Sequence, residues 1–203
     1  RLRTVTGVQT CALPILEARV ARQGQTPLDG AFLAWANPPS DGSAPGDYPF
    51  AFDCPDAAVH AELTLPSTVV LQVAAFAQQV SVHASEADYR REQQASGNSF
   101  PSRSFIPSGL ISPSGEPVSP PESHALIAGH VLDAEPRVNS VTGEPYWWAL
   151  VDTVGGTIDV VIDPQMLPAP PAAGQVVAGW FWLSGRVRTD PPRRASWFRR
   201  ATR

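Results

Sequence analysis

The sequence predicts a mainly β protein, with a β-rich N-terminal unit that carries one short helix and a small barrel in the C-terminal half. Three observations predict it. Apolar residues recur in short runs or in alternation, the period of a pleated strand with one covered face. Those runs are broken by 22 Pro and 15 Gly in 203 residues, too many breakers for long helices. Hydrophobic residues make up 43% against 17% charged, which excludes a disordered chain and allows a sizeable core.

Residues 16–95 form the first unit. Residues 31–36 (AFLAWA) are an apolar run ended by Asn37-Pro38-Pro39, and 38–49 is a loop rich in Gly, Ser, Asp and Pro. Residues 59–65 (VHAELTL) alternate like a half-buried strand, and Pro66 stops them. Residues 69–84 are rich in β-branched side chains, which favours one or two strands, although 74–79 (AAFAQQ) also suits a helical turn. Ser85 before Glu86 and Asp88 marks a helix start, because a Ser side chain caps free N–H groups and acids complement the positive helix end. The helix is expected over 85–94.

Residues 96–123 are a docked linker: 18 of these 28 residues are Ser, Pro or Gly. Phe105, Ile106, Leu110 and Ile111 interrupt the polar run, so the segment is expected to lay apolar side chains on a neighbour. Residues 124–187 carry the barrel. Strands are expected at 124–134, 146–151, 157–162 and 176–187, with Gly129 and Gly179 inside the first and last as marks of bends or bulges. Turns at 139–143 and Gly155-Gly156 and a Pro-rich connection at 168–174 separate them. Residues 188–203 are a basic tail, set off by Pro191-Pro192.

The order of a bent first strand, a hairpin, a connection and a final Gly-containing strand over 124–186 resembles an OB-fold. More widely, Phe105-Ile106-Pro107-Ser108-Gly109-Leu110, Gly129-His130-Val131, Asn139, Thr142-Gly143 and Phe181-Trp182-Leu183-Ser184-Gly185 resemble the arrangement in uncharacterised conserved bacterial proteins. That resemblance carries no catalytic residue over.

A different resemblance governs the first residues. All 11 residues of VTGVQTCALPI, 5–15, match the in-frame translation of a sequencing-library adapter. The adapter's leftover base can open a leucine codon for Leu16. On this reading 1–15 is adapter-derived or unstructured, the native N-terminus and any export signal lie outside the chain, and compartment stays open, with the cytoplasm favoured. Cys11 then drops out, leaving Cys54 alone and no internal disulfide. All 15 basic residues are Arg, the codon bias of a GC-rich bacterial genome. No apolar run approaches the ~18 residues of a membrane helix.

Charge is divided. Residues 16–185 hold 6 Arg against 18 acids, net −12, and 186–203 hold 7 Arg against Asp190, net +6. An acidic body repels phosphate, while a basic tail can take nucleic acid, an anionic membrane surface or the body itself. In the tail, Arg193, Arg194, Trp197, Phe198, Arg199 and Arg200 interleave basic and aromatic groups as a partner-binding candidate. A solubilising tail is the plainer reading.

The barrel aromatics form the other candidate surface. Alternation places Tyr146 and Trp148 on one face with Trp147 on the other, and sets Trp180 and Trp182 against Phe181. Such rings can stack bases, but only Arg137 lies in 124–185, so packing is the favoured account. His124 and His130 can share a strand face, but without further ligands a metal site is not expected. His60 lies near Asp53-Cys54-Pro55-Asp56, where the acids would raise the thiol pKa and dull it as a nucleophile. Asp152, Asp159 and Asp163 surround one hairpin and are expected on a solvated face. No phosphate loop or hydrolase motif occurs. The expectation is a non-enzymatic binding or adaptor protein without cofactor that works through protein contacts. Single-stranded nucleic-acid binding is the alternative, and an enzyme using His130, Asp133 or Cys54 comes third.

Overall fold

The computed structural model describes residues 15–22, 30–44, 46–60, 63–109 and 122–188. The adapter match before Ile15, the apolar pair Leu110-Ile111 and the tail from residue 189 fall outside them. The described chain is mainly β. Its strands are β1 (Ile15–Arg22), β2 (Ala31–Ala36), β3 (Pro49–Asp53), β4 (Ser67–His83), β5 (Ser104–Pro107), β6 (His124–Val138), β7 (Pro145–Thr153), β8 (Gly156–Ile162) and β9 (Val176–Arg188), with helix α1 (Glu86–Ala95) after β4. No helix among the described residues is long and apolar enough to cross a membrane.

The strands join one sheet in the order β1-β2-β3-β9-β4-β8-β7-β6-β5, with further pairings β1–β4 and β9–β6. Those two extra pairings return the ladder on itself twice. One circuit runs β1-β2-β3-β9-β4 and back to β1; the other runs β6-β7-β8-β4-β9 and back to β6. Both contain β4 and β9, which pair antiparallel from Val70↔Arg188 to His83↔Val176. This double duty accounts for their lengths, 17 and 13 residues. Phe50, Phe52, Leu71, Ile127, Phe181 and Leu183 belong to one buried cluster, so side chains of both circuits meet in a single core.

Local chemistry explains the elements. α1 begins after Ser85, whose hydroxyl accepts the Asp88 N–H, and its one buried residue is Tyr89. β4 settles the ambiguity of residues 69–84 in favour of one strand, and the segment with helical leanings is where its ladder slips, between Ala77 and Gln79. Gly179 faces that slip: a Cβ there would run into the Gln79 carbonyl. The linker docks through Phe105, whose ring lies 5.4 Å from Tyr48 and 6.3 Å from Phe50.

The described residues of the expected strand at 59–65 form no strand; Ala61 and Glu62 lie outside the described residues. Residues Ala57–His60 make a 3-10 turn, with Ala57 N–H bonded to the Cys54 carbonyl (3.0 Å) and Val59 N–H to the Asp56 carbonyl (2.9 Å). These local bonds use up groups a ladder would need, and Val59 is left 78% exposed. β1 and β3 were not singled out as strands by their pattern.

Candidate functional site

Phe181 and Leu183 of β9 point into the core, so Trp180, Trp182, Ser184, Arg186 and Arg188 line the opposite face. Register extends that face across the sheet. Phe76 lies opposite Trp182 and Gln72 opposite Arg186 on β4, while β6 sets His124 opposite Trp182. Asp159 of β8 lies beside Ala74, and β7 places Trp148 opposite Val161 and Leu150 opposite Asp159. Trp148, and by alternation Tyr146, therefore share the face of Trp180 and Trp182. Their burial differs: Trp148 is 3% exposed, while Tyr146, Trp180 and Trp182 are half-buried.

Two aspartates organise this face, one at each parallel contact of the sheet. Asp53 is the residue through which β3 meets β9, opposite Ser184. Its carboxylate accepts the Trp182 indole N–H at 2.6 Å and the Ser123 hydroxyl at 2.7 Å. Asp159 stands where β8 meets β4; it accepts the Trp148 indole N–H at 2.8 Å and the Gln72 amide at 3.3 Å. A buried indole N–H needs an acceptor, and the carboxylates supply it. Asp159 thus departs from the expected solvated face, being 5% exposed. Outward alternation put it under Trp148 and Gln72 instead of in water. Burial pushes its pKa up, opposed by the Trp148 and Gln72 hydrogen bonds and by nearby Arg137.

The rest of the expected carboxylate trio does not converge on it. Asp152 pairs with Arg103, and Asp163 caps the short turn Pro164–Met166 by accepting the Gln165 N–H at 2.8 Å. Arg137 lies with its guanidinium carbon 3.8 Å from the Trp148 ring centroid and pairs with Glu135. The one arginine of residues 124–185 thus covers an aromatic ring.

Cys54 and His60 line one apolar cavity of about 30 Å³ with Val20, Phe32, Phe52 and Leu65. That volume is on the scale of a water molecule. The thiol donates to Asp56 at 3.1 Å, while His60 Nε2 lies 3.8 Å from the other Asp56 oxygen. Burial first, and then Asp56, push the Cys54 thiol up to about 12. Asp53 and Asp56 were both expected to dull this thiol; Asp56 does so after burial, while Asp53 turns to Trp182 and Ser123.

His124 and His130 take separate partners: His124 stacks on Trp180 (5.8 Å, 5°), and His130 lies 4.0 Å from Glu86. No group of three or more His, Cys, Asp or Glu suited to a metal ion occurs among the described residues. Sequence reasoning missed His83. Its Nδ1 lies 3.2 Å from Glu92 and its Nε2 3.0 Å from the Ser81 hydroxyl, with Tyr89 edge-on at 5.1 Å. Ser81 also donates to the Ala178 carbonyl at 3.3 Å, and the chain of bonds ties α1 to β4 and β9. A His closing an alternating run just before a capped helix was the available signal.

The tail candidates Arg193, Arg194, Trp197, Phe198, Arg199 and Arg200 lie outside the described residues. No known family model and no curated protein matches this chain.

Proposed function

We propose that this chain is a non-enzymatic binding module that works through protein contacts and is built as two OB-like rings sharing β4 and β9. Support for the rings comes from pairing order. Each circuit has a three-strand antiparallel meander, a parallel contact from its third strand, and an antiparallel return, as in the five-stranded OB barrel. The units at 16–95 and 124–187 would each supply four strands and borrow the fifth. Because fold does not specify function, the functional reading rests on a surface.

That surface is the tip of the β6–β7 hairpin. Pairing of β6 with β9 stops at His130, whereas pairing with β7 continues to Val138, so the hairpin runs on past β9. Its apolar residues face solvent: Leu132 is 48%, Val138 63% and Val141 66% exposed. The turn that carries Val141 is firmly held. The Asn139 side chain accepts the Val141 N–H at 2.9 Å and the Thr142 N–H at 3.2 Å, and the Asn139 carbonyl accepts the Gly143 N–H at 2.8 Å. Exposed valines on a preorganised turn bind a partner without a large ordering cost. This observation carries the proposal.

The test is a Val138→Asp/Val141→Asp variant in crosslinking from native cells. Loss of the crosslinked partner with an unchanged unfolding midpoint is the expected result. Undiminished crosslinking by the variant would move the contact elsewhere.

A further inference from the structure

We infer that the partner of the β6–β7 hairpin is a second copy of this chain, which contributes its cationic, aromatic segment 189–203. The inference rests on the hairpin reading above and names its partner.

The hairpin is shaped for side-chain docking. From Leu132 on, β6 pairs with β7 alone among the described residues. Its other edge offers few donors, because Pro136 has no N–H and the Ala134 N–H goes to the Asp133 carboxylate at 2.9 Å. A partner therefore does not join as a further strand. Apolar side chains are presented instead. The ladder slips between Val131 and Asp133, which leaves Leu132 as an extra residue, 48% exposed. Val138 stands opposite Pro145, both exposed, and Val141 lies on the turn between them. The exposed charges around them are acidic: Asp133, Glu135 and Glu144. Arg137, the one cation of residues 132–145, is only 12% exposed and is held over Trp148 and against Glu135. Phosphate or an anionic lipid would be repelled here, whereas an apolar segment that carries its own cations is favoured.

Residues 189–203 have that chemistry. They lie outside the described residues, and they hold Trp197 and Phe198 among Arg193, Arg194, Arg199, Arg200 and Arg203, with Asp190 as the single acid. Where they are attached decides between a chain's own hairpin and a neighbour's. β6 and β9 are antiparallel: β6 runs past Val176 towards the hairpin, while β9 runs away from it to Arg188. The strand path from Arg188 back to Val176, and on from His130 to Val138, is about 65 Å. Extended chain from Arg188 to Trp197 spans at most about 32 Å. Along that path the aromatic pair falls well short of its own hairpin, and the hairpin of a second copy carries no such restriction. The contact is then heterologous, each copy giving a hairpin to one neighbour and a segment to another, so association continues beyond a pair.

The experiment is sedimentation equilibrium of the purified full chain from micromolar to submillimolar concentration, at low and at high salt. The expected result is an average mass that climbs past a pair with concentration and falls back as salt is raised. Val138→Asp/Val141→Asp and, separately, Arg193→Gln/Arg194→Gln/Trp197→Ala should each weaken association about tenfold or more. Equal unfolding midpoints would show that neither loss is a loss of fold. Mixed together, the two variants should associate again, because one keeps its segment and the other its hairpin, and growth should stop at a pair. The inference is overturned by a monomer at every concentration, by association that the segment variant retains, or by a mixture that does not recover. Retention in the segment variant would mean that hairpin pairs with hairpin. A monomeric chain whose hairpin still captures a crosslinked partner of different mass in native cells would end this inference and leave the protein-contact reading standing.

Discussion

Removing the Asp159 carboxylate should expose how the sheet is held at its β8–β4 contact. Asp159→Leu keeps an apolar group of similar size but leaves the indole N–H of Trp148, which is 3% exposed, without its 2.8 Å acceptor. A buried unsatisfied donor costs about 1–3 kcal/mol. The Gln72 amide is only part-buried and can turn to water, so its lost 3.3 Å bond adds little. Trp148→Phe makes the converse change, leaving a buried carboxylate with the Gln72 amide as its hydrogen-bond donor and Arg137 nearby, and should destabilise by a comparable amount. In the double variant neither partner is left unmatched, so its loss should fall short of the sum of the two by about 0.5–3 kcal/mol. Urea unfolding followed by far-ultraviolet circular dichroism reads all four proteins. A pH series adds a second reading. The folded-state pKa of Asp159 is raised above its unfolded value. Its contribution to stability is therefore present below the unfolded pKa and lost as pH rises through the folded one. The stability of the native protein relative to Asp159→Leu should thus decline across that acidic window. Additive losses within about 0.5 kcal/mol, or a difference that grows with pH, would refute the reasoning.

Other consequences can be checked directly. Cys54, ordinarily 9.0, and Tyr48, ordinarily 10.0, are both pushed up to about 12, chiefly by burial. Stability tied to each is present below the ordinary value and lost as pH climbs towards 12, so an alkaline urea series should show falling midpoints. Iodoacetamide at neutral pH should label Cys54 only as fast as the protein opens, and rapid labelling of the folded chain would contradict the buried thiol. Gly179→Ala should cost about 1–3 kcal/mol or more, because the added methyl meets the Gln79 carbonyl. Gly97→Ala, at φ +71 with open space around it, should cost only the left-handed penalty of about 1–2 kcal/mol. Thermal unfolding ranks the two, and a reversed order would count against the close approach at the β4 slip. Chains split after Gly97 should be unfolded separately and regain β circular dichroism when mixed, since each circuit draws a strand from the other half. Independent folding of either piece would argue against that exchange.

Elements with local causes were legible. β2 was readable because AFLAWA ends in Asn37-Pro38-Pro39, and α1 because Ser85, Glu86 and Asp88 mark its start. The facing of Trp180 and Trp182 away from Phe181 followed from alternation alone. Alternation also misled: residues 59–65 have a strand's period, yet Pro55 and Asp56 had already begun a turn. Period gives a side chain's face but not the strand beside it. Hence Asp159 was read as wet, with Trp148 and Gln72 unseen as its partners, although Gln72 lies far off in the chain.

The sharing of β4 and β9 also bears on how the chain comes to be folded during synthesis. β4 is made early, but the partner along much of its length, β9, is among the last described residues to emerge. Until then the first four strands lack a closing neighbour, and a long row of backbone donors and acceptors stays open to water or to another nascent chain. Contacts between residues so far apart also slow the search for the native state. Yield from cells should therefore depend on translation speed and on holding chaperones more than the equilibrium stability of the finished molecule would indicate.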